Sequence, residues 1–331
     1  MFRFLPLLIL GFICQFATAI DANASARQAR FLEIGKRKVY VEYEQAEPRH
    51  PTLVLLNGLT YSLRNWDSFA KELEKRAPKA GLLRIDLLGM GKTLLEGPLP
   101  VISPISYQEQ VEVVASAMKI LGITKAFIGG LSYGGGLAVA FAHAHPELVN
   151  QVILMAPFTE PLEPMDQFIK GQISANRIAF PMNPASDDEL YDFFLHQFIY
   201  ATYPGLEPSV LENPFKLEAI FRMVQGIRKY DTLKDARSMP ALSTHLILAD
   251  QDQYIQKEVH NRFWKAVSPG ARASRIDISY SEHKVPEAIP AFSASWVEKI
   301  LYRSPELNRG LFFQGNTREQ IAKSGQLEIP V

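Results

Sequence analysis

The chain has 331 residues, and 35 Lys plus Arg balance 35 Asp plus Glu, so its formal charge is zero. That balance offers no basic face for nucleic acid, and the length suits one large α/β domain with an insertion as well as it suits two domains. No internal repeat or low-complexity tract points to a solenoid or a disordered chain.

Residues 1–19 begin Met1-Phe2-Arg3, continue apolar, and end Ala17-Thr18-Ala19 ahead of the polar Asp21-Ala22-Asn23. A basic start, an apolar run and a small-x-small site make an export signal, with cleavage expected after Ala19 and a secreted or periplasmic product. The rival is an uncleaved membrane anchor, but a span wants about 20 clean apolar residues, and this segment is shorter and carries Pro6 and Gln15. Membrane association is therefore expected only through an uncleaved signal or a lipid substrate. Cys14 is the only cysteine and follows the bulky Ile13, which does not suit a lipoprotein site. Its removal leaves a mature chain with neither a disulfide nor a thiol nucleophile.

Within residues 31–43, Val39, Val41 and Tyr43 alternate with polar residues as in a half-exposed hairpin strand. The run Thr52-Leu53-Val54-Leu55-Leu56 predicts a strand buried on both faces of a parallel sheet, ending at Asn57-Gly58-Leu59-Thr60. A helix over 66–76 and a strand over 82–87 follow, leading into Asp86 and then Gly91-Lys92-Thr93. That triplet invites a phosphate-loop reading, which fails: the first glycine it needs would fall at Asp86, and no run of helix formers follows. Ser106 and Glu109 are spaced as a capping box for a helix to Leu121, with Gly122 as its stop.

The apolar Ala126-Phe127-Ile128 then meets Gly129-Gly130-Leu131-Ser132-Tyr133-Gly134-Gly135-Gly136, followed by the small residues of a helix. In the pattern Gly130-x-Ser132-x-Gly134 the glycines clear a sharp strand-to-helix turn and leave the Ser132 hydroxyl at its tip. A serine there sits at a helix N-terminus, where the dipole favours developing negative charge. A strand at 152–155 continues the alternation, so the sheet is mostly parallel and ligands should bind at the carboxyl ends of its strands, where both Leu59 and Ser132 fall. From 158 to 238 the alternation lapses into a stretch rich in aromatics and methionine, with Ser186 and Glu189 capping a helix from Asp187 to Tyr200. Sheet signals return at 245–249, ending in Asp250-Gln251-Asp252, and at 275–280, followed by Ser281-Glu282-His283-Lys284-Val285-Pro286-Glu287 and a helix to Tyr302.

On these motifs, together with Trp66 and His145-Pro146-Glu147, the chain resembles the α/β-hydrolase superfamily over residues 31–303. The resemblance implies a core in two parts, 31–157 and 239–303, with 158–238 as a helical lid and 304–331 as a tail of unknown role. It implies Ser132 as nucleophile, His283 as base and Asp252 rather than Asp250 as the acid, in the chain order this fold uses. The backbone N–H groups of Leu59 and Tyr133 would form the oxyanion hole. One departure is Asn57-Gly58 where relatives often carry His-Gly; since the donor is the backbone N–H of the next residue, Asn57 should alter loop support rather than chemistry. A few of Met165, Phe168, Phe180, Phe194, Tyr203 and Phe221 should face the pocket, the rest forming the lid's own core.

His143 and His145 lie two apart on a helix and face different ways, which does not suit a metal pair; His245 opens a strand, and His50, His196 and His260 read as solvated or packed. No cofactor and no metal is called for. The function expected is that of an exported serine hydrolase cleaving carboxylic esters of a small-molecule substrate with an apolar portion. A proline-iminopeptidase-type peptidase and a lipid-active esterase or acyltransferase are the enzymatic alternatives. A binding protein on the same fold is the alternative of another class, and usually lacks a triad member. Serine where relatives acting on haloalkanes or epoxides use a carboxylate speaks against those reactions.

Overall fold

Two antiparallel strands, β1 (Gln28–Ile34) and β2 (Arg37–Glu44), start the sheet, turning through Gly35-Lys36 so that Leu32 pairs with Val39. The hairpin expected from alternation is thus two strands rather than one, divided at the glycine. This computed structural model describes residues 27–59, 61–96, 103–160, 163–213, 215–241, 243–279, 281–303 and 311–315. The expected export signal at 1–19 lies outside them, as does the tail apart from 311–315. None of the described helices is long and apolar enough to cross a membrane.

Six further strands, β3 (Thr52–Leu56), β4 (Gly81–Ile85), β5 (Ala126–Leu131), β6 (Val149–Met155), β7 (Thr244–Ala249) and β8 (Arg272–Ile278), run parallel to one another. The last, β9 (Leu311–Gly315), pairs in parallel with β8, so five residues of the tail extend the sheet. The order is β1-β2-β4-β3-β5-β6-β7-β8-β9, with β2 antiparallel to β4. The strand expected at 275–280 begins three residues earlier and ends at Ile278; Tyr280 is outside the described residues.

The helices in chain order are α1 (Asp67–Arg76), α2 (Gly91–Glu96), α3 (Tyr107–Ile120), α4 (Tyr133–Ala144), α5 (Glu163–Ala179), α6 (Asp187–Leu206), α7 (Phe215–Ile227), α8 (Thr232–Arg237), α9 (Lys257–Ala266), α10 (Val285–Ala288) and α11 (Pro290–Leu301). The period-two geometry of a strand decides which helices each side chain meets. Val54 and Leu56 of β3 pack with Tyr107 of α3 and Leu137 of α4 on one face. Leu53 and Leu55 pack with Phe69 of α1 and Trp296 of α11 on the other. Both capping boxes form: Ser106 Oγ accepts from Glu109 N, and Ser186 Oγ from Glu189 N, each at 3.2 Å. The helix expected between Glu287 and Tyr302 is α11, which starts at Pro290, a residue suited to the first helical position, and ends at Leu301.

A charge inside the buried β4 is compensated locally: Arg84, fully buried, is gripped by Glu42 of β2 and Asp67 of α1. Asp86, just beyond β4, accepts from Leu63 N at 2.6 Å and Lys92 N at 2.9 Å. Burial pushes its carboxyl up to about 6. Although a six-residue helix does follow Gly91, its head is occupied by this carboxylate, where a phosphate loop would hold phosphate. Between β6 and β7 stand α5 to α8, where buried Ile169 of α5, Leu195 and Ile199 of α6, Val210 of the turn after it and Ile220 of α7 form a core separate from the two that flank the sheet.

Candidate functional site

The turn from β5 to α4 forces Ser132 into a left-handed backbone conformation, φ 54° and ψ −117°, which costs a non-glycine residue on the order of 1–3 kcal/mol. The flanking glycines make the turn possible. A Cβ on Gly130 would collide with the carbonyl of Gly134, and one on Gly134 with the carbonyl of Leu56. The strained residue is pinned on both sides: Ser132 N donates to Met155 O at 3.0 Å, and Phe158 N donates to Ser132 O at 2.8 Å. Behind it the Tyr107 hydroxyl donates to Tyr133 O at 3.0 Å, anchoring the first turn of α4.

The loop after β3 approaches from the other side, where a Cβ on Gly58 would stand 3.6 Å from the Ser132 Cβ. Asn57 is fully buried in that loop; its Nδ2 donates to Ile85 O, and its Oδ1 accepts from Trp66 Nε1, both at 2.9 Å. The departure at Asn57 is thus a brace between β4 and Trp66, as expected of a change in loop support. Leu59 and Tyr133 line the same cavity as Ser132.

Across the cavity, the turn after β7 folds so that Asp252 Oδ1 accepts from Tyr254 N and Ile255 N, each at 2.8 Å. Asp252 Oδ2 lies 2.7 Å from Nδ1 of His283, a buried ring set edge-on to Tyr254. A carboxylate at Nδ1 selects the tautomer with its proton there and leaves Nε2 as an acceptor. Burial acts to raise the Asp252 carboxyl, but the imidazoles of His260 and His283 and the Ile255 N–H outweigh it and hold the group well below the usual carboxylate range. Asp250, by contrast, is exposed, and its backbone N–H closes the turn onto Ile278 O at 3.0 Å. Ser132, Asp252 and His283 therefore converge from three strand ends, and Asp252, not Asp250, meets the histidine.

The cavity that Ser132 and His283 share measures about 70 Å³ and is walled by Leu59, Phe158, Met165, Tyr203, Leu206, Val224 and Ile227. Of the six aromatics and methionines singled out in the insertion, Met165 and Tyr203 reach it. Phe168 and Phe180 are exposed, while Phe194 and Phe221 pack into the insertion's own core. Val224 and Ile227 had no signal in the sequence beyond ordinary helical periodicity. Glu207 also lines the cavity, and Lys284, beside His283, donates to the Glu207 carboxylate at 2.9 Å. Among the remaining histidines, His143 bonds Ser238, His50 meets Tyr302 and His196 stacks on Tyr200. His260 is packed as expected, but against Asp252, with Nε2 3.7 Å from Oδ2, a proximity the sequence did not disclose.

Residues 51–283 match the profile of a family described as having the alpha/beta hydrolase fold. A 2-hydroxy-6-oxononadienedioate/2-hydroxy-6-oxononatrienedioate hydrolase of Paraburkholderia phymatum is 31% identical over 134 residues, covering 40% of this chain and 44% of that protein. The chain thus matches less than half the length of that relative. A 2-hydroxymuconate semialdehyde hydrolase of Pseudomonas sp. (strain CF600) is 24% identical over 247 residues, covering 68% of this chain and 84% of that one. Among solved structures, an alpha/beta hydrolase from a Medee basin deep-sea metagenome library superimposes with a TM-score of 0.62 at 17% identity, over 83% of this chain and 97% of that one.

Proposed function

The chain belongs to the α/β-hydrolase family, and from that premise we propose that it is an exported serine hydrolase acting on carboxylic esters of moderately apolar small molecules. One observation carries the proposal: Ser132 projects from a strained turn into the same apolar cavity as His283, whose Nδ1 is held by Asp252. A neutral serine is a weak nucleophile, so His283 Nε2 takes the Ser132 proton as Oγ bonds to the ester carbon. Asp252 keeps the imidazole in that tautomer and stabilises the imidazolium. The N–H groups of Leu59 and Tyr133 hold the oxyanion, each worth about 2.7–4 kcal/mol of transition-state stabilisation. Collapse expels the alcohol with the His283 proton, and water repeats the sequence to release the acid and restore Ser132.

The insertion α5 to α8 acts as a lid, contributing Met165, Tyr203, Leu206, Val224 and Ile227 to the apolar wall. The relatives' names describe acidic substrates, yet the described residues lining this cavity include no Lys or Arg and do include Glu207. That supports a neutral, apolar acyl or alcohol portion over a dicarboxylate. The signal at residues 1–19 supports export.

A p-nitrophenyl ester series from acetate to laurate tests the pocket. Each methylene newly buried should add roughly 0.8 kcal/mol of transition-state binding until the cavity is full. At about 70 Å³ the cavity is less than half of the ~150 Å³ apolar void that accommodates benzene, so kcat/KM should peak at short to medium chains and then fall. A flat profile would oppose the lid assignment, and a monotonic rise with activation at lipid interfaces would favour the lipid-active alternative.

A further inference from the structure

His260, on the first turn of α9, is 1% exposed, and neither of its ring nitrogens has a hydrogen-bond partner among the described residues. A buried imidazole with nothing to receive its N–H is costly, so its surroundings have to account for it. The carboxylate of Asp252 beside it has acceptor capacity to spare. An ionised carboxylate offers about four acceptor sites. On Asp252, two are filled by the N–H groups of Tyr254 and Ile255 and a third by His283 Nδ1. His260 Nε2 faces the remaining one, 3.7 Å from the same Oδ2 that His283 engages. That is too long for a hydrogen bond, but contacts within a catalytic site are often long without substrate and tighten when the transition state forms.

We propose that His260 is a positioning residue, a neutral second imidazole that donates Nε2–H to Asp252 Oδ2 and fixes the carboxylate that orients His283. The inference rests on the serine-hydrolase reading above. His260 is not among the residues lining the cavity, whereas His283 is, so His260 does not serve as the base. Its surroundings disfavour the charged form. Burial lowers its proton affinity, and His283 and Arg275 oppose a positive charge, against the pull of Asp252. Arg275 on β8 is bonded to Asp277 at 2.8 Å and to Asn261 at 2.7 Å, and Lys257 of α9 lies 3.3 Å from Asp277. The charged groups of α8, which packs on α9, are Lys234, Asp235 and Arg237, and Asp235 bonds the Tyr230 hydroxyl.

Kinetics on p-nitrophenyl butyrate across pH test this, with thermal melts confirming that each variant is folded. His260→Phe should lower kcat on the order of tenfold to a hundredfold, the range typical of partners that orient a site's ligands, with KM nearly unchanged. Its acidic limb should move to higher pH, because Asp252 without a competing donor binds the His283 proton more tightly. His260→Gln, which restores an N–H near the same point, should return the limb towards the wild type and recover part of kcat. A folded His260→Phe with wild-type kcat and limb would overturn the proposal, as would Gln and Phe variants equally impaired with unmoved limbs. Should His260→Phe not fold, ¹⁵N NMR of the wild-type rings decides: His260 should stay a neutral Nε2–H tautomer from pH 5 to 8, and titration or the other tautomer would refute it. If the wild type neither hydrolyses esters nor reacts with a fluorophosphonate, the serine-hydrolase reading itself falls and this inference with it.

Discussion

Asp250 and Asp252 are two places apart on one turn, yet only Asp252 approaches His283, with Nδ1 at 2.7 Å. Asp252→Asn keeps the shape but no longer enforces the Nδ1–H tautomer, and should cost roughly four orders of magnitude in kcat, as the corresponding change does in serine proteases. Asp250→Asn should change kcat less than tenfold, since that side chain lies on the exposed part of the turn. Comparable losses in steady-state kinetics would show that the acid has been misassigned. Ser132 was legible because Gly130-x-Ser132-x-Gly134 encodes a backbone conformation, and local sequence can specify that. Asp252 and His283 were legible only through family resemblance, since nothing local marks an acidic turn or a loop histidine as catalytic. His260 was not legible, because its approach to Asp252 depends on how α9 packs back over the turn that precedes it.

The strands and helices obey their patterning wherever one face is buried, and depart from it where the chain is buried all round. In β8 every residue after Arg272 is buried, so alternation could not locate its ends, and the strand starts earlier than the pattern indicated. In β7 the same enclosure traps His245, whose Nδ1 lies 2.7 Å from Ser274 Oγ and whose Nε2 has no partner among the described residues. Burial pushes its pKa from 6.5 down to about 3. The unfolded chain therefore binds a proton that the folded one refuses. The stability from this group is complete above pH 6.5 and is lost as pH falls towards 3, by about 1.4 kcal/mol per pH unit. Urea midpoints between pH 6.5 and 5 should fall more steeply in the wild type than in His245→Asn. Equal slopes would mean that His245 protonates in place.

At the scale of the molecule, the parallel sheet collects residues distant in sequence at one edge: Ser132 after β5, Asp252 after β7 and His283 after β8. The insertion between β6 and β7 has a core of its own and contributes apolar side chains to the cavity lining. Its existence and its Ser186 cap could be read from the sequence. Which side chains turn inward could not, because that depends on how α5 to α7 settle over the sheet, and Met165 and Phe168 on one helix have opposite fates. The short strand Leu311–Gly315 was equally hidden, since an apolar triplet in a tail does not reveal its pairing with β8. All of these elements bear on function through one claim, that Ser132 is the activated nucleophile of the cavity. Intact-mass and peptide-mapping measurements after fluorophosphonate treatment test it directly. A single adduct should form on the peptide containing Ser132, suppressed by a p-nitrophenyl ester and absent in a folded Ser132→Ala variant that also loses hydrolysis. An adduct at another residue, or ester turnover retained by Ser132→Ala, would contradict it.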